Sequence, residues 1–425
     1  KHKAVNLILY AIPFFFLLIF LELGWGFARG RNTYRINDTI NSLSMGSLSR
    51  LQSLVILGVS GAIYEWIVAY FQLRQLPGDR IWVWIFCFIL YDLAYYWKHR
   101  LGHEMLILWG SHVAHHQSED FNLSTALRQT SIDFYSFLFY LPFFVLGFPA
   151  EVLFTTVSVN LIYQFWVHTE HVPKLGALEW LFVTPSNHRV HHARNKIYVD
   201  HNYGGVFIIW DRLFGSFQEE LVEEPVIFGL RKPLNSWNPV WANVHVYWRL
   251  INDLRKAKGL RNKLAICFKP PGWLPEGMLS SCQLRKLTVD LTTRFDPVIP
   301  TFSKYYTLGQ FVISVLISLY LLQYSTQLDY EITAMAVVFM VYSFYVHGTW
   351  LENRPNALRQ ELFRMISLIV LIQFVHVHIL LKTSITVYAA LSLLALYLYK
   401  DGVFLTNNQT IHTDNKSQVK SHPTA

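Results

Sequence analysis

Nine apolar stretches divide this chain: 5–27, 51–73, 81–97, 134–150, 152–167, 308–324, 333–350, 363–381 and 383–400. Each approaches the length of a bilayer crossing, about twenty residues. Inside hydrocarbon a segment has to satisfy its own backbone polar groups, which leaves helices or closed barrels. Runs this long, without strand alternation, select helices. Only 15% of residues are charged and 52% are hydrophobic, against about 25% charged in soluble domains. The expected fold is all-α, a multi-pass transmembrane helical bundle of about nine spans. Asp92, Asn160 and Gln164 interrupt the apolar runs, and 134–167 also fits a buried re-entrant hairpin in place of two crossings.

With nine crossings, one side receives the loops 28–50, 98–133, 168–307 and 351–362 and the C-terminal tail. Lys1, Lys3, Arg74, Arg80 and Lys382 fall opposite. The positive-inside rule makes the basic side cytosolic. The net charge of +8 then reads as topology and contact with anionic lipid. No zinc-finger spacing or basic–aromatic platform points to nucleic acid. Cys87, Cys267 and Cys282 make no disulfide framework, which suits a reducing compartment. Residues 1–27 read as a signal anchor, since no small-residue cleavage site follows the apolar run. The expected divisions are N-terminal transmembrane segments at 1–84, a catalytic region at 85–218 and a cytoplasmic or interfacial segment at 219–307. A four-span block follows at 308–400, then a disordered tail at 401–425.

Ten of the 18 histidines lie between positions 99 and 192. They read His99-x3-His103, His112-x2-His115-His116, His168-x2-His171 and His188-x2-His191-His192. Residues three and four apart share one helix face, and imidazoles on one face form a metal-ligand surface. The interleaved Trp, Leu and Val exclude a solvated polyhistidine tract. Ten imidazoles exceed what one ion binds, so two metals in a cytoplasmic cap are expected. Asp92, His99 and His103 are spaced seven and four, and Gln164, His168 and His171 four and three. Asp92 and Gln164 are therefore expected to orient ligand rings from behind. Glu104, Glu119, Asp120, Glu170 and Asp200 stand close enough to compensate charge, Glu104 being the favoured functional carboxylate. Thiolate-free nitrogen sites suit zinc, iron, copper or nickel. A metal transporter would instead show paired His or Asp within several spans, whereas here only Asp92 and His347 sit at membrane depth.

The three boxes and the intervening pair resemble the fatty-acid hydroxylase superfamily of membrane di-metal oxygen-activating enzymes. Its members include sterol C4-methyl oxidases, sterol C5-desaturases and fatty-acid 2-hydroxylases. Asn202-Tyr203-Gly204-Gly205 with Trp210-Asp211-Arg212-Leu213-Phe214-Gly215 is similar to the segment closing that catalytic region, so the resemblance covers about 85–218. The stretches 118–129, 163–170, 184–192 and 269–273, with the C-terminal block, look most like the superfamily's ether-lipid-cleaving branch. Asn187 departs from that branch's pattern, outside the HxxHH box itself. The resemblance implies two non-haem irons, tetrahydrobiopterin and dioxygen, an alkylglycerol substrate and the endoplasmic-reticulum membrane. It places ligands on His99, His103, His112, His115, His116, His188, His191 and His192, and an essential glutamate on Glu104. A pterin-stacking ring among Trp97, Trp109, Tyr163 and Trp166 is not selected by spacing, nor is a role for His201. His245, His376 and His378 read as interfacial or packing residues.

Overall fold

The computed structural model describes residues 7–133, 135–278, 294–375 and 377–399. Cys282, His376 and the tail 401–425 lie outside these residues. Two compact units are present, Lys1–Asn235 with Val240–Phe295, and Ser236–Pro239 with Asp296–Ala425. Among the described residues there are helices, two isolated β-bridges (Phe182 with Phe207, Ala193 with Phe228) and no strand.

The first unit opens with three long helices, α1 (Leu7–Ala28), α2 (Ile36–Phe71) and α3 (Ile81–Glu104). Short helices α4 (Leu106–Trp109) and α5 (Leu123–Ala126) follow, then α6 (Ser136–Leu146), α7 (Ala150–Trp166), α8 (Pro185–His191) and α9 (Ile209–Leu213). Two further helices, α10 (Pro239–Lys256) and α11 (Leu260–Phe268), complete it. Val83, Cys87 and Tyr91 recur every four residues along α3 and so form one stripe. That stripe is buried against Phe143, Phe144, Phe148, Val152 and Leu153. Burial of each such side chain contributes about 1.5–3 kcal/mol, enough to fix the depth of α3 and the position of its last turn. With 11 residues, α6 is about 16 Å long and does not cross a hydrocarbon core of about 30 Å.

The second unit stacks α12 (Thr301–Tyr324), α13 (Tyr330–Leu351), α14 (Ala357–Phe374) and α15 (Ile379–Leu398) in chain order. The apolar run 363–381 is displaced: α14 begins just past Pro355, takes in Glu361 and Arg364, and ends at Phe374. These two charges are buried and mutually paired at 2.7 Å, with Gln310 accepting a further Arg364 N–H. Pairing of this kind makes charge tolerable within a membrane block. Elsewhere in this unit the interior is apolar, around a cavity of about 310 Å³ lined by Leu321, Phe339, Leu368 and Ile385. Among the described residues four helices are long and apolar enough to cross a membrane: Leu7–Ala28, Thr301–Gln327, Tyr330–Leu351 and Ile379–Leu398.

Candidate metal centre

The last turn of α3 presents His99 and His103, and the turns after α4 present His112, His115 and His116. His168 follows α7, and α8 with its terminus supplies His188, His191 and His192. The start of α8 is written locally. Thr184 is the N-cap, Pro185 sits at N1, and the Asn187 side chain accepts the Thr184 amide at 3.1 Å. Proline at N1 and a reciprocal cap set a helix start. The departure at Asn187 thus has a structural use.

Nine of the ten expected ligands gather into two groups. One holds His99, His103, His112, His116 and His191, the other His115, His168, His188 and His192. Eight of the nine are buried and His112 is partly so. His171 belongs to neither group, and Gly26 of α1 is its neighbour.

Four rings are held from behind by backbone carbonyls. Nδ1 of His99 donates to Tyr203 O (2.7 Å), His115 to Arg128 O (2.9 Å), His168 to Gln164 O (2.8 Å) and His191 to His201 O (3.0 Å). A proton on Nδ1 leaves Nε2 as a lone pair, and these lone pairs point inward. In the first group His112 Nε2 lies 2.9 Å from His99 Nε2 and 3.0 Å from His116 Nε2. In the second, His168 Nε2 lies 3.2 Å from His115 Nε2 and 2.9 Å from His188 Nε2, which is 3.1 Å from His192 Nε2. His115 and His168 both carry their proton on Nδ1, so their Nε2 lone pairs face each other and repel in the absence of a cation. Two imidazole nitrogens bound at right angles, each about 2.1 Å from an ion, are about 3.0 Å apart. The Nε2 atoms of His103 and His191 are buried without a hydrogen-bond partner. The donor set and its spacing therefore fit two transition-metal ions.

Burial pushes the titration of His112, His116, His188, His191 and His192 well below the ordinary range, and neighbouring histidines push it further. His115 is lowered to about 4, mainly by burial. Neutral rings are the form that binds metal.

The expected supporting residues serve differently. The spacing reading set Asp92 behind a ligand ring, and the structure corrects this. Asp92 accepts the Val206 (2.8 Å) and Phe207 (3.0 Å) amides, the Trp210 indole (2.9 Å) and the Asn160 amide (2.7 Å). Its lone pairs are spent on the loop that carries Tyr203. Gln164 supports His168 through its carbonyl; its side chain donates to Asn160 and accepts from Tyr95. Asp200 comes within 3.7 Å of His103 Nδ1. Glu104 belongs to neither group and pairs with Arg100 at 2.9 Å. Glu119 and Asp120 face Arg35, with Arg294 also on Asp120, and Glu170 faces Arg31. The Trp109 ring lies 5.0 Å from the His103 ring at a tilt, whereas Trp97 is 37% exposed and Tyr163 donates to Val183 O.

A fatty acid hydroxylase family model matches residues 84–216. Alkylglycerol monooxygenase of Homo sapiens is 37% identical over 86% of this chain and 82% of its own length.

The chain belongs to the alkylglycerol monooxygenase family.

Alkylglycerol monooxygenase of Danio rerio is likewise 37% identical, over 87% of this chain and 83% of its own. The ornithine lipid hydroxylase of Rhizobium tropici is 32% identical, over 30% of this chain and 40% of its own. No solved structure is significantly similar. Three residues escaped the motif reading within this family member. Arg128 O caps His115, Tyr203 O caps His99, and Asp211 fixes that loop by accepting the Tyr203 (2.7 Å) and Gly204 (2.8 Å) amides. Backbone carbonyls carry no sequence signal. Resemblance alone marked these positions, Arg128 within 118–129 and the other two within the closing segment 202–215.

Proposed function

We propose that this chain is a tetrahydrobiopterin-dependent alkylglycerol monooxygenase with two irons. His99, His103, His112, His116 and His191 hold one iron, and His115, His168, His188 and His192 the other. The single observation that carries this is the convergence of buried Nε2 atoms at 2.9–3.2 Å in both groups. Membership of the alkylglycerol monooxygenase family supports an ether lipid as the substrate class. An ether C–O bond resists acid–base chemistry at neutral pH, so cleavage has to start by oxidation of the carbon beside the oxygen. When bound, the metals supply dioxygen activation: one oxygen atom enters that C–H bond, and the other leaves as water with two electrons and two protons from the pterin. The resulting hemiacetal breaks its C–O bond to give a fatty aldehyde and glycerol.

The protein's part is positioning and exclusion of water. Carbonyl caps hold the rings, Trp109 walls the first group and Phe121 the second, at 5.1 Å from His192. In this reading the cap faces the cytosol at the endoplasmic-reticulum membrane, with the glyceryl head beside it and the alkyl chain between helices. The basic loops support that orientation.

Purified protein should contain close to two irons per chain. Membranes given a 1-O-alkylglycerol, dioxygen and tetrahydrobiopterin should release fatty aldehyde, and His188→Ala should not. Aldehyde formed equally without pterin would reject that cofactor. Oxidation of a sterol or acyl lipid alone would assign a different reaction of the superfamily.

A further inference from the structure

We infer that α10 and α11 form a platform lying in the plane of the membrane surface and binding anionic phospholipid. The helix α10 has two apolar faces. Its inner face, Ala242, Val246 and Leu250, recurs every four residues and is buried. Val246, Leu250, Ala257 and Ile266 pack with Leu106 and Val113 in one core cluster. Opposite, Trp241, Trp248 and Ile251, spaced seven and three, share a face that is exposed. In α11, Leu260, Leu264 and Phe268 continue the pattern at steps of four, with Leu260 71% and Phe268 53% exposed.

An outward face of this size in a soluble setting would be a liability. What surrounds it identifies the partner. Arg255, Lys256, Lys258, Arg261, Lys263 and Lys269 are all exposed, and Asp253 is the sole acidic residue between 239 and 269. Tryptophan, leucine and phenylalanine ringed by lysine and arginine match the boundary between acyl chains and anionic headgroups. An aqueous protein partner would be expected to find fewer large aliphatic side chains and a mixed charge rim.

The platform is fastened to the second histidine box. Its Tyr247 ring fills the space over Gly110, where an added Cβ would lie 2.6 Å away, and its hydroxyl meets Ser111. Gln117, directly after His116, donates to Ala242 O at 2.9 Å. Lipid binding at the outer face would therefore steady the loop presenting His112, His115 and His116.

The test uses the full chain, metal-loaded, in nanodiscs of phosphatidylcholine with and without phosphatidylserine, read by amide hydrogen exchange. Exchange across 241–268 should slow when phosphatidylserine is present, recover its speed in high salt, and stay unchanged across 185–192. A variant combining Lys256→Gln, Lys258→Gln, Arg261→Gln and Lys263→Gln should keep its metal and lose the lipid-dependent protection. Equal exchange of the unmodified protein in both discs would overturn the inference and leave the patch to an acidic protein. Protection that survives in the variant would overturn it too. Neither readout depends on the reaction assigned above.

Discussion

The tautomer of each imidazole decides what this site can be. A histidine whose Nδ1 donates to a carbonyl has one remaining function at Nε2, and four rings are locked in this way. Glu104 is the contrasting case. It stands beside His103 in sequence, yet a helix turns about 100° per residue, and its carboxylate meets Arg100, which also donates to Tyr96 and to Phe214 O. We propose that Glu104 acts through Arg100, by tying α3 to the 202–216 segment. Glu104→Gln should retain two metals per chain while turnover falls about tenfold, the scale typical of residues that orient a metal site. Metal analysis alongside the rate measures this. An unchanged rate would make Glu104 a solvated helix-terminal residue.

At the scale of elements, the loop 202–211 works as a clasp. Asp92 on α3 holds it from below through Val206, Phe207 and Trp210, and Asp211 holds it from within. The clasp lies so close to α3 that a Cβ on Gly205 would come 2.8 Å from Tyr95 and 2.9 Å from Asp92. That contact explains the glycine. Gly205→Ala should move the loop, withdraw Tyr203 O from His99 and cost about 1–3 kcal/mol, as overpacking of a tight interior does. Thermal unfolding with metal analysis would show a lowered midpoint and reduced iron. A wild-type midpoint with full iron would mean that the loop adapts without cost.

At the scale of the molecule, the interior of the cap sets its pH dependence. The buried imidazoles stay neutral in the folded state, whereas in the unfolded chain they take up protons near pH 6.5. The unfolded state thus binds more protons as pH drops below about 6.5, and folding stability falls with it. For His115, lowered to about 4, the loss develops between about pH 6.5 and 4 and reaches roughly 3 kcal/mol. Burial and the neighbouring Asp38 push Asp120 up to about 7, which acts in the opposite sense. Burial also raises Asp211, to about 6, and Glu170, but three carboxyls set against eight lowered imidazoles of the cap do not reverse the trend. Unfolding midpoints measured in chelator from pH 8 to pH 4 should be flat above about 7 and fall below 6.5. A midpoint that rises on acidification would contradict neutral, buried ligands.

The nine imidazoles that meet in the two groups were legible in the chain because clustered histidines at helical spacing share faces. The all-helical class was legible because long apolar runs leave the backbone few alternatives. Neither feature divides nine imidazoles between two groups. His115 and His116 are adjacent in sequence and fall in different groups, because in the 3₁₀ turn at 115–117 successive residues point about 120° apart. His171 shares the spacing of a ligand and stands outside both groups, because the helix it was read onto ends at Trp166. Spacing placed Asp92 on the ligand face, but its oxygens serve amides more than a hundred residues away. Periodicity reports which side chains share a face of one helix. Which backbone carbonyl stands behind a ring, and which amides a buried carboxylate must satisfy, depend on chain segments that meet only in the folded protein.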